Sequence, residues 1–354
     1  MALEVSIRKQ LGAFRLDVSF AVQNETLALL GASGSGKSMT LKCIAGIERP
    51  DEGRIVLNGR TLFDSARGID LPPQQRRVGY LFQQYALFPH MTVLQNIETG
   101  LRRLKRSERQ ARARELARTF RLEGLEHLRP AQLSGGQQQR AALARILGTE
   151  PEALLLDEPF SALDSYLRWQ TELEVLNLLE RYGGDVIFVS HSRDEVSRVS
   201  RRVCVLSGGR SEPVTDFPTL MKRPGTVSAA LLSGCKNISA YTRVSEREIF
   251  CSDWGVRLAC ADAPQDEGFA GVRAHALRLS DAPSEGAFAC RAERVLDNVF
   301  SFVVMLSTPG GREGRSLLRA ELPKEDWAAL SGADTIYASC LPEQVMLLTG
   351  GAQF

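Results

Sequence analysis

Gly31-Ala32-Ser33-Gly34-Ser35-Gly36-Lys37-Ser38 is the stretch on which the reading of this chain turns. It follows a short apolar run, Thr26 to Leu30, and precedes a helical pattern, so it sits where a strand hands over to a helix. The spacing is GxxxxGK[ST]. Glycines let successive backbone N–H groups turn inward around phosphate oxygens, and the following helix aims its positive end at them. Lys37 is expected to reach the β- and γ-phosphates of a nucleotide, and Ser38 to hold Mg²⁺ through its hydroxyl. Gly31, Ala32, Ser33, Gly34, Ser35, Gly36 and the following Met39 complete the expected cradle.

A second run, Ala153-Leu154-Leu155-Leu156-Asp157-Glu158, reads as a buried strand whose carboxylates appear where it ends. Strand ends beside a phosphate loop are where such sheets place Mg²⁺ ligands. Asp157 is the expected metal ligand and Glu158 the expected general base on the attacking water.

Leu133-Ser134-Gly135-Gly136-Gln137, followed by QQRAALAR and lying just upstream of that strand, resembles the signature motif of ABC (ATP-binding cassette) ATPases. Physically it is a helix N-terminus fronted by two glycines, an anion site with no lysine of its own. In the family this segment closes on the γ-phosphate held by another subunit, so the resemblance implies a head-to-tail homodimer. Ser134, Gly135, Gly136 and Gln137 are then ATP-contacting residues. Gln83, in GYLFQQ, matches the family glutamine that touches Mg²⁺ and the attacking water. Ser161-Ala162-Leu163-Asp164 matches the loop that crosses the dimer interface. His191, in FVSHS, matches the histidine that contacts the γ-phosphate. Phe14 lies where the family places an aromatic against adenine. Tyr85 to His90 resembles the stretch that faces the membrane subunit. The expected cofactors are ATP and Mg²⁺.

The remaining pattern is α/β up to about residue 232. Phe14, Leu16, Val18, Phe20 and Val22 alternate with mostly polar residues, as in a half-buried strand. Residues 92–148 read as a helical subdomain, in which RRLKRSERQARARELARTF is a solvated basic helix rather than a nucleic-acid surface. Tyr166 to Tyr182 reads as a further helix. From 233 to 354 the chain breaks into short strand-like runs, REIFCS, GVRLAC, FVVML, TIYASC and VMLL. This is a smaller, mostly β domain, and its resemblance to importer tail domains implies an OB-like barrel with a regulatory or dimerisation role.

The net charge is +2, near balance, which gives no reason to expect nucleic acid as a partner. No apolar run is long enough to cross a bilayer, and the N-terminal residues lack the apolar core of a signal peptide. The expected location is the cytoplasmic face of the cell membrane, reached through integral membrane permease subunits and, indirectly, an extracytoplasmic solute-binding protein. The seven cysteines form no CxxC pair and read as reduced thiols, with a metal site on Cys251 and Cys260 as the alternative.

The stretch from Gly53 to Val93 looks most like the molybdate/tungstate importer ATPases, and less closely like those for sulfate, ferric iron or polyamine. In that group a tail domain binds the oxyanion. A tail that only packs dimers together is the other reading. A soluble ABC protein acting on ribosomes or DNA repair complexes is a third hypothesis, disfavoured by the single cassette and the short gap before LSGGQ.

Overall fold

The computed structural model describes residues 2–161, 165–312, 317–330, 332–333 and 335–350. Two compact units divide between Phe217 and Pro218.

The first unit is built on one mixed sheet. Its parallel part runs in the spatial order Val78–Leu81, Ala153–Asp157, Asp185–Ser190, Thr26–Leu30 and Arg202–Ser207. These strands are nearly continuous apolar runs because both faces are covered. Leu27 to Leu30 and Ala153 to Leu156 are all fully buried. The antiparallel part is a hairpin, Leu3–Leu11 with Phe14–Val22, continued by Glu52–Leu57 and Arg60–Asp64. Alternation in the Phe14–Val22 strand places Leu16, Val18, Phe20 and Val22 inside.

Register is what concentrates function at one sheet edge. Leu81 pairs with Leu156, Asp157 with Val189, and Leu30 with Ser190. Four parallel strands therefore end at one level, and the residues that follow each end emerge side by side.

The region between residues 92 and 148 holds three helices, Val93–Gly100, Arg106–Thr119 and Gly135–Leu147. The first and third begin in capping boxes, Thr92 with Gln95 and Ser134 with Gln137. The basic middle helix buries only Ala113, Leu116 and Ala117. Its neighbouring charges pair locally, Arg112 with Glu115 at 2.6 Å and Arg118 with Glu123 at 3.6 Å.

Arg76 is a fully buried guanidinium with a structural task. It donates to the carbonyls of Cys43 (2.8 Å) and Ile44 (2.9 Å), at the end of the helix Lys37–Ala45, and to Leu71 (2.7 Å). Asp70 accepts its remaining bond at 2.9 Å. A cation at a helix C-terminus meets the negative end of the peptide dipoles. Gly46 passes so close to this guanidinium that a side chain there would collide with it.

Among the described residues the second unit has two five-stranded antiparallel sheets around one core that includes Trp254 and Trp327. One has the order Val256–Ala259, Glu248–Cys251, Asn237–Ser245, Glu267–Val272, Val345–Leu348. The other runs Arg278–Ser280, Ile336–Ser339, Phe288–Asp297, Ser301–Ser307, Leu318–Pro323. Most of the helix Phe217–Lys222 and all of Val227–Leu232 lie in this unit, although sequence analysis put both in the first domain, ending at 232. The cause is specific packing. Arg273 donates to the carbonyls of Met221 (2.6 Å) and Ser233 (2.8 Å), and Val227 and Ala230 share a small core with Met346 and Leu348.

Candidate nucleotide-hydrolysis site

The phosphate loop takes the shape its glycines permit. Gly34 and Gly36 have φ of 79° and 103°, a region that L side chains rarely adopt. Gly36 also faces the side chains of Leu16 and Phe14, and a Cβ there would overlap Leu16. The ring of Phe14 thus lies alongside the loop, half-buried against the core. The two-residue turn Gly12-Ala13 brings it there, since Leu11 pairs with Phe14.

Lys37 folds its ammonium back to the carbonyls of Gly31 (2.8 Å) and Ala32 (2.9 Å). Burial lowers its pKa, while Glu158 and Asp157 oppose that shift. Ser35 is buried against Gly31, and its hydroxyl finds no hydrogen-bond partner among the described residues.

Ser38 donates its hydroxyl to Asp157 Oδ1 at 2.8 Å. Tyr80 donates to the other oxygen, Oδ2, also at 2.8 Å. Burial and the Asp157 charge both raise the Tyr80 pKa, so the phenol remains a donor. Serine hydroxyl and carboxylate oxygens are hard donors of the kind Mg²⁺ selects. These residues fit that ion.

Glu158 has φ of 45°, left-handed for a residue with a side chain. The strained turn is fixed on both sides. Glu158 N–H donates to Val189 O (3.1 Å), and Ser161 donates through N–H and hydroxyl to Glu158 O (3.2 and 2.9 Å). The turn aims the carboxylate at His191, whose Nδ1 lies 3.4 Å from Glu158 Oε1. The imidazole is 60% exposed and the carboxylate 18%, so the histidine stands at the rim. Its backbone is held by Ser190, which donates to Glu195 Oε2 at 2.6 Å and accepts from Ser192 N–H at 2.9 Å. Gln83 is exposed, and its amide reaches Ser161 Oγ at 3.3 Å.

The structure therefore brings Lys37, Ser38, Asp157, Glu158, His191 and Gln83 to one sheet edge. It does not join the signature segment to them: among the described residues no hydrogen bond connects Ser134–Gln137 to the phosphate loop. Ser134 instead caps its own helix, accepting from Gln137 N–H, and leaves the helix N-terminus facing outward. Asp164 lies outside the described residues. Sequence reasoning missed Tyr80 and Glu195. Tyr80 carried a signal, being a polar-tipped residue in a buried strand that precedes Gln83 by three positions. All seven cysteines are unpaired thiols, and among the described residues no group of three or more His, Cys, Asp or Glu is placed to hold a metal ion.

A phosphate loop, a carboxylate-tipped strand beside it and a capped glycine helix define a nucleotide-hydrolysing cassette. The ABC transporter family matches residues 16–161. The chain is 41% identical to a molybdenum import ATP-binding protein of Paramagnetospirillum magneticum over 223 residues, 63% of this chain and 61% of that protein. It spans less than two thirds of that relative. It is 38% identical to a spermidine/putrescine import ATP-binding protein of Rubrobacter xylanophilus, over 87% of this chain and 84% of that one. A sulfate/thiosulfate import ATP-binding protein of Mesorhizobium japonicum is 39% identical, over 79% and 81% of the two chains. Among solved structures, the dimeric ATP-binding cassette MJ0796 bound to ADP and Pi superposes with a TM-score of 0.53 and 30% identity, covering 61% of this chain and 99% of that one. The chain belongs to the ABC transporter family as an ATP-binding ATPase.

Proposed function

We propose that this chain is the ATP-hydrolysing subunit of an importer for molybdate or a related tetrahedral oxyanion, working as a homodimer on membrane permease subunits. The observation that carries the motor reading is the convergence of Ser38, Asp157, Glu158 and His191 on the phosphate loop. Lys37 and the loop N–H groups bind the phosphates. Ser38 and Asp157 would hold Mg²⁺, which would supply charge neutralisation at the phosphates. Glu158 accepts a proton from the water as its oxygen bonds to the γ-phosphorus and the bond to the ADP oxygen breaks. His191 and Gln83 orient the γ-phosphate and the water. Ser134–Gln137 of one subunit faces the γ-phosphate bound by the other, so ATP closes the dimer and its hydrolysis lets it open.

Molybdate and sulfate are both tetrahedral dianions, and relatives named for each resemble this chain. That shared chemistry supports the oxyanion class. A polyamine is the second reading, supported by the relative named for spermidine/putrescine import that matches 87% of the chain. Uptake of labelled molybdate, sulfate and spermidine by cells lacking this gene separates them. Loss of molybdate uptake alone is the expected result, and loss of spermidine uptake alone would replace it with the second reading. No helix among the described residues is long and apolar enough to cross a membrane. Attachment at the cytoplasmic face through the permease is part of this proposal.

The second unit is proposed as a regulatory or dimerisation domain. Calorimetric titration of the full chain with molybdate, tungstate and sulfate tests the sensing role. Binding of the first two supports a sensor, and no binding leaves dimerisation.

A further inference from the structure

Arg145 sits in the last turn of the helix Gly135–Leu147, ten residues beyond the glycine that opens it. Its guanidinium donates to Ala86 O at 2.7 Å and to Tyr85 O at 3.1 Å. The same group lies over the Phe88 ring, 5.6 Å from the centroid. Burial lowers its pKa, and among the described residues no carboxylate forms an ion pair with it. Its charge is therefore balanced by two carbonyl dipoles and a ring face, all on residues 85–88.

Those residues adopt a backbone that needs an external hold. Tyr85 and Ala86 are consecutive non-glycine residues with φ of 58° and 46°. Conformations this sparsely populated persist where neighbours over-determine them. A planar fork spanning two successive carbonyls does that, and an ammonium cannot match its geometry. The segment is anchored at its other end too. Buried Asn96 accepts from Phe88 N–H (2.8 Å) and donates to the carbonyls of Phe88, Met91 and Thr92. Tyr85 in turn points its hydroxyl at Pro159 O, 3.5 Å away, next to the backbone of Glu158.

We propose that Arg145 is a positioning residue that fixes the 83–88 segment to the signature helix, so that movement of that helix sets where Gln83 stands for hydrolysis. The proposal rests on the reading of Gln83 as a group that orients the attacking water. It assigns Arg145 a mechanical link running from the outward-facing Ser134–Gln137 turn to the exposed Phe88 and back to the catalytic carboxylate. Tyr85, buried beneath the segment, carries the last step of that link.

The test uses the full chain and a kcat-against-KM split. Arg145→Ala is expected to lower kcat for ATP by about ten-fold while KM stays within about two-fold, because an orienting contact is lost and not a binding one. Arg145→Lys is expected to fall in between. In a Gln83→Ala background the Arg145→Ala loss should shrink to about two-fold, since both changes remove the same placement. Amide exchange of residues 85–88 should quicken in both Arg145 variants, with the strands unchanged. A wild-type kcat in Arg145→Ala overturns the proposal, as does a full loss repeated in the Gln83→Ala background. If Arg145→Ala does not fold, Arg145→Lys decides by the same two readouts, and wild-type values in both sink the idea. Should Gln83→Ala itself hydrolyse ATP normally, the role of Gln83 fails, and the proposed consequence for hydrolysis fails with it. Amide exchange then shows separately whether Arg145 holds the segment.

Discussion

The two units use polar groups in opposite ways. In the first, hydroxyls, carboxylates and one buried ammonium converge where parallel strands stop, and several are strained or short of partners. In the second, the buried polar groups are consumed by the fold. Asn237 clamps one strand to another by donating to Arg319 O (2.8 Å) and accepting from Arg319 N–H (2.7 Å). Thr308 donates to Trp254 O, and Ser239 accepts from Asp253 N–H at 3.0 Å. A site keeps hydrogen-bonding capacity in reserve, whereas a packing module uses it up.

The largest expected effect tests the first half of that contrast. Glu158→Gln should retain ATP binding and trap the closed dimer, while steady-state phosphate release drops by about 10²–10⁴-fold. Release at the wild-type rate would falsify the assignment of Glu158 as the base. Next is Arg76→Ala, which leaves the carbonyls of Cys43, Ile44 and Leu71 without their donor and uncaps the phosphate-loop helix. Leaving these carbonyls unpaired, at about 1–3 kcal/mol per buried unsatisfied group, should cost about 3 kcal/mol, measurable by urea unfolding. A loss below about 1 kcal/mol would mean that water replaces the guanidinium.

Asn237→Ala probes the other half. It leaves the Arg319 backbone groups unpaired and should cost about 1–3 kcal/mol, with ATP turnover unchanged. A fall in turnover comparable to that of a site variant would break the contrast between the units.

The smallest effect concerns Asp185, whose Oδ2 is buried without a partner among the described residues while Oδ1 accepts from Asn24 N–H at 2.6 Å. Burial raises its pKa above the usual 3.8. The protonated form is therefore favoured in the folded state. Its stabilising contribution is complete below the unfolded value and is lost as pH rises through the folded one. Asp185→Asn keeps the Asn24 bond and should stabilise the protein at neutral pH by about 1 kcal/mol. The gain should shrink as the solution is acidified. A gain independent of pH would argue against a charge effect.

How much of this was legible in the sequence follows the same division. Lys37, Ser38, Asp157, Glu158 and His191 could be read because each belongs to a local motif at the end of an apolar run. Tyr80 and Arg76 could not be placed so directly, since their partners are set by register and packing. Tyr80 faces Asp157 because it pairs with Leu155 on the next strand. Arg76 finds its helix end 32 and 33 residues back along the chain. In the second unit the strands were visible but their pairing was not. Glu267–Val272 pairs with Val345–Leu348 across a long separation, and irregularities at 243–245 and 292–294 shift register where alternation would be counted.

The seven thiols have a practical consequence. Burial pushes Cys43 and Cys204 up to about 12, and Cys290 and Cys340 up to about 11. Only the thiolate attacks an electrophile, and at neutral pH that form is scarce at these four positions. Six of the seven sulfurs belong to buried residues. The chain is therefore expected to react slowly with maleimides as it stands. A single cysteine introduced at an exposed position away from the site, such as Arg114, would carry a dye almost alone, and cassette closure could be followed without first stripping out the native sulfurs.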